Sequence, residues 1–145
     1  MAVPPQPETR SPWKTLYAII WIVFVQILIA LVVFPGSIYL HVALGFAIVF
    51  LAHYHQSHIK RMAIPDRIRR IVRSTASLAS AQFVLGIYAF LVVVLGWSLP
   101  GLEVVLVLHL VVALAILSQA SSAATAYDMW EEREFERVEV PTPRA

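Results

Sequence analysis

The feature that most constrains this chain is where its charges are missing. Four long stretches, residues 15–34, 37–54, 74–97 and 102–127, share a single charged side chain, Glu103. Each is close to the roughly 20 apolar residues a helix needs to cross a hydrocarbon core of about 30 Å. In such a core every backbone N–H and C=O must be satisfied within its own segment, so the stretches are predicted to be helices. Composition agrees: the chain is 59% hydrophobic and 14% charged, against about 45–50% and about 25% in soluble domains. That excludes a nucleic-acid module, a soluble hydrolase and a disordered chain. With no cysteine, disulfides, thiolate metal sites and cysteine nucleophiles are excluded as well, though the compartment is left open.

Between the runs, Phe34-Pro35-Gly36-Ser37 and Ser98-Leu99-Pro100-Gly101 are tight turns punctuated by proline and glycine. Such short turns force sequential helices to pack antiparallel. The expected architecture is all-α, a polytopic membrane protein built as a four-helix up-down-up-down bundle over residues 15–127. Residues 1–14 hold Pro4, Pro5, Pro7 and Pro12 and read as an irregular arm. Residues 128–145 are an acidic tail, expected to form a surface helix that frays.

The formal charge of +2 matters less than its distribution. Lys60, Arg61, Arg67, Arg69, Arg70 and Arg73 lie between the second and third runs, whereas the two Pro-Gly turns carry no lysine or arginine. By the positive-inside rule both termini and the basic segment are cytoplasmic, in a multi-pass protein of the cell membrane. The acidic residues of the tail weigh little in that rule. Trp97 and Tyr39 near one interface, and Trp13, Tyr17, Tyr54, Tyr127 and Trp130 near the other, form the expected aromatic belts.

Ionisable groups within a span are costly and mark candidate function. His41 lies about 7 Å below the outer end of the second span and His109 roughly 13 Å down the fourth, at 1.5 Å per residue. These two spans are parallel, so both imidazoles fall in the outer half of the bilayer. That suits one ligand held between two helices, with haem the first candidate, since histidine is a common axial ligand of haem iron. Gly45, Ile48 and Ala52 share the face of His41, while Ala113, Ile116 and Ala120 share that of His109. Small residues one turn from each histidine leave room for a flat macrocycle, although small residues also simply let membrane helices approach. Gln26 and Gln82 read first as hydrogen-bonded links between helices. His53, His55 and His58 read as interfacial and solvated. Glu103, the only acidic residue expected on the outer side, reads as a solvated carboxylate and is the one candidate acid or base there.

The pattern Gln82-x-x-Leu85-Gly86, then Leu99-Pro100, then His109-Leu110-x-x-Ala113, with His41 at the head of the second span, resembles one four-helix half of the heme A synthase family. A compact four-helix form of that family, known in archaea, is similar over about residues 15–127. The resemblance implies haem ligation by His41 and His109, a pocket lined by Gly45, Gln82, Gly86 and Ala113, and oxidation of a methyl group of heme O to the formyl group of heme A. The family's catalytic half has a glutamate three residues before its second-helix histidine; this chain has Ile38. An arginine commonly follows that histidine; here it is Val42. Glu103 is the carboxylate that would have to stand in.

The expected function is therefore heme A synthase-like, with a haem of b, o or a type as cofactor. The alternatives are a non-catalytic haem-b subunit of a respiratory oxidase complex and a haem-free membrane scaffold. Expected partners are haem, membrane lipid and either further copies of the chain or a respiratory complex. No nucleic acid is expected.

Overall fold

The computed structural model describes residues 13–139, apart from Val33 and Ala63, with side chains as far as Arg133. The proline-rich arm predicted over residues 1–14 and the end of the tail thus lie almost wholly outside the described residues. Four α-helices follow one another: α1 (Trp13–Leu31), α2 (Ser37–Ile59), α3 (Asp66–Val93) and α4 (Leu102–Glu139). All four are long and apolar enough to cross a membrane. The chain is an all-α, four-span membrane protein, and no strand occurs among the described residues.

Helix ends follow from local chemistry. α1 stops ahead of Pro35, and Gly36 takes a left-handed φ of 85° that only glycine adopts freely, turning the chain into α2. Pro65 stands at the N-terminal boundary of α3 and Asp66 in its first turn, where a carboxylate favours the helix dipole. At the other end of α3, the Tyr88 hydroxyl donates to the Pro100 carbonyl and ties the helix to the α3–α4 turn.

The helices also run past the apolar stretches. The polar segment between the second and third runs is mostly helical: α2 continues to Ile59 and α3 begins at Asp66, leaving residues 60–65 as the turn. There Arg69 Nη2 donates to the Met62 carbonyl at 2.8 Å. α4 is 38 residues long, about 57 Å at 1.5 Å per residue. That is nearly twice a hydrocarbon core, so its acidic part projects beyond the bundle. Hydropathy marks the membrane stretch of a helix; it carries no information on where hydrogen bonding stops.

Helices consecutive in sequence pack against each other, and α4 closes the ring on α1. The diagonal pairs, α1 with α3 and α2 with α4, meet only through side chains reaching across the axis. Two buried clusters lie along that axis. At the basic end Leu16, Ile59, Ile64, Ile68, Val72 and Tyr127 pack together. In the middle, Ile19, Val23, Ile48, Ala52, Ala76 and Ile116 do so. Nothing comparable fills the Pro-Gly end. The outward surface is apolar, with Trp21, Phe50, Val84 and Val107 all exposed, as a lipid-facing surface should be.

Candidate functional site

The inward faces of α2 and α4 carry the two span histidines. Ile48 and Ala52 below His41 are buried, as are Ala113, Ile116 and Ala120 below His109. Since these residues repeat at helical spacing, burying them aims both imidazoles at the axis. His41 and His109 face each other across the α2–α4 diagonal, ring centroids 6.0 Å apart and planes inclined at 43°. On both rings Nδ1 is buried without a hydrogen-bond partner. Buried polar nitrogens are nearly always paired, so these two stand out, as do His55 Nε2 and the Tyr127 hydroxyl at the basic end.

Around the rings lies a cavity of about 480 Å³, bordered by Gln26, His41, Gly45, Gln82, Gly86 and His109. Ile38 and Ser37 at the head of α2, and Phe90 and Val93 on α3, border its outer part. A smaller cavity of about 230 Å³ lies on the α1–α4 side and shares both histidines and both glutamines, with Ala113 on its wall. The histidine pair thus forms a waist between two apolar lobes. The larger volume falls in the range of small-molecule and cofactor sites, about 300–1,000 Å³.

The two glycines play different parts. A Cβ at Gly86 would stand 3.1 Å from His109 Cε1, so the bare backbone of α3 is what lets that ring lie where it does. A Cβ at Gly45 would meet only Gln26 Nε2 at 3.5 Å, an ordinary contact. The two glutamines differ as well. Gln26 Nε2 donates to the His41 carbonyl at 2.8 Å, linking α1 to α2 at the level of the site. Gln82 Oε1 is buried without a partner at the cavity wall. The role of helix link therefore holds for Gln26 alone.

Glu103 stands in the first turn of α4 and is exposed. Six residues at 3.6 per turn put it about 240° around the helix from His109. It does not border either cavity. Among the described residues no acidic side chain borders them, and no group of three or more His, Cys, Asp or Glu could hold a metal ion.

The three histidines at the basic end divide. His53 is exposed and its Nε2 lies 2.9 Å from Ser80 Oγ of α3. His58 is half-buried. His55 overturns the expectation of a solvated cluster: it is 2% exposed, with its ring 6.0 Å from that of Tyr127. Tyr127, expected in an aromatic belt, is likewise buried in the basic-end cluster. The reason is geometric. α2 runs on as a helix past the apolar stretch, so His55 keeps the inward register set by Ile48 and Ala52. Sequence position at the edge of an apolar run gave no sign of it; the continued i, i+3, i+4 spacing did. No family model matches the chain, and no curated protein or solved structure is similar enough to count as a match.

Proposed function

We propose that this is a haem-binding membrane protein in which His41 and His109 would hold one haem iron between α2 and α4. The observation that carries the reading is the facing pair of imidazoles at 6.0 Å between centroids, with open space around them. A metal–imidazole bond is about 2 Å, and each ring centroid lies about a further ångström beyond its nitrogen. An iron between two imidazoles therefore asks for centroids about 6 Å apart, which the pair matches. Two protein ligands are too few for a bare ion, which takes four or more. They are the right number for a metal that brings four equatorial nitrogens of its own.

A haem held there would supply one-electron chemistry. The chain's own part is to hold and shield it. His41 and His109 would hold the iron, Gly86 keeps the α3 backbone clear of the His109 ring, and Gln26 locks α2 against α1. The apolar lobes keep water away. This supports a haem-carrying subunit of a respiratory complex, seated in the cell membrane with its basic end in the cytoplasm. The lack of an acidic side chain at the cavity favours it, because Ile38, where the family resemblance asks for glutamate, borders the cavity as an apolar group. The second reading is heme A synthase-like oxidation of heme O. It is favoured by Gly86, the glycine of the Gln82-x-x-Leu85-Gly86 pattern, which lies against the His109 ring.

Pigment extraction separates these readings. Protein purified in mild detergent should show a sharp haem band on dithionite reduction, and acid-acetone should release one haem per chain. Heme B alone supports the subunit; heme O or heme A supports the synthase. A colourless protein that stays colourless after haem is added contradicts both and leaves a scaffold.

A further inference from the structure

The basic end of the bundle carries a feature the haem reading does not use and does not depend on. On α3, Arg70, Arg73, Ser77, Ala81 and Val84 are all exposed, and at 100° per residue they fall on one face of the helix. Read from the basic end toward the membrane middle, that face passes from two guanidinium groups through a hydroxyl to an apolar track. The His53–Ser80 contact sets the register of α2 alongside it. Because the two helices are antiparallel, this register puts Lys60 level with Arg73 and Ser57 level with Ala76 and Ser77. Lys60 and Ser57 are exposed too, and below Ser57 on α2 lies the exposed ring of Phe50.

Among the described side chains none of these cations makes an ion pair. Among the described side chains the one ion pair is Arg69–Asp66. Asp128, Glu131 and Glu132 on the neighbouring α4 make no ion pair with α3. Two or three unpaired cations at one level, hydroxyls beneath them and an apolar surface below match the shape of an anionic phospholipid: phosphate, glycerol and acyl chain in that order. Basic clusters beside membrane helices draw anionic lipid by such a match, each cation contributing about fivefold in affinity. We infer that the α2–α3 face at the basic end is a binding site for an anionic phospholipid, with Lys60, Arg70 and Arg73 on its headgroup and Ser57 and Ser77 beneath.

The test uses the full chain reconstituted in phosphatidylcholine vesicles containing a trace of spin-labelled phosphatidylglycerol or spin-labelled phosphatidylcholine. The motionally restricted fraction of each label gives the selectivity. The expected result is a preference for phosphatidylglycerol of about fivefold or more. It should fall at least about threefold in Arg70→Gln/Arg73→Gln, toward the share that Lys60 alone supplies. The control Arg61→Gln/Arg67→Gln removes the same charge from residues off that face and should keep most of the preference. Equal losses in the two double variants would overturn the site, since diffuse charge would then account for the attraction. So would an unselective wild type, including one whose patch is covered by the acidic α4 extension of a second copy in a salt-sensitive dimer.

Discussion

The two ends of the bundle place the same kind of pair on the same two helices. Near the Pro-Gly end His41 faces His109; about four turns along α2, near the basic end, His55 faces Tyr127. Each pair of rings is 6.0 Å apart, and each histidine has one buried nitrogen without a partner. What differs is the surroundings. The basic-end pair lies among Ile59, Ile68, Val72 and Ala123, which close around it. At the other end Gly45 and Gly86 stand beside the pair, the larger side chains line the wall without closing over it, and a cavity of about 480 Å³ remains. A buried histidine is thus a poor indicator of a ligand site; a buried histidine that its neighbours decline to cover is a good one.

The sharpest way to break the contrast is to fill the hollow end. Gly86→Leu puts a Cβ against His109 Cε1 and a branched side chain into the cavity, and should remove nearly all bound haem while the detergent-purified protein remains helical by circular dichroism. Full haem retention in that variant would mean the cofactor sits elsewhere.

The packed end should respond through stability alone. His55→Ala leaves a void in a closed cluster and should cost about 2–4 kcal/mol, read as a lower thermal midpoint with haem content per folded chain unchanged. His55→Leu removes the orphaned nitrogen and keeps the volume, so it should recover most of that loss. Haem lost from His55→Leu at normal stability would erase the distinction between the ends.

Smaller effects sharpen the picture. Gln26→Leu breaks one interhelical hydrogen bond and should cost about 0.6–2 kcal/mol, with haem retained but released sooner on heating. Glu103→Gln should leave haem content and the visible spectrum as they are, since the carboxylate points away from the cavity. A changed spectrum would return Glu103 to the site.

Much of this architecture is legible from charge placement. Four uncharged runs and two Pro-Gly turns specify the spans and their antiparallel order, because an apolar helix in lipid has no alternative hydrogen-bonding scheme. The inward faces of His41 and His109 follow from the uncharged residues sharing them at i+4, i+7 and i+11: Gly45, Ile48 and Ala52, and Ala113, Ile116 and Ala120. The basic-end core was hidden for a physical reason. Polarity in residues 55–73 suggested a loop, yet charged and polar residues on one side of a helix say nothing against a buried side, and Ile59, Ile68 and Val72 supply one. The different roles of Gly45 and Gly86 are likewise invisible in a sequence, since both are glycines one turn or less from the site. Only the position of the facing helix decides which one must lack a Cβ.

The most direct measurement is electron paramagnetic resonance of the oxidised protein as purified, with His41→Ala and His109→Ala beside it. Two imidazoles on one iron predict a low-spin ferric signal in the wild type. Each variant should lose the haem or convert it to a high-spin, five-coordinate form open to added imidazole. A high-spin wild type, or a low-spin signal that survives in either variant, would contradict ligation by this pair.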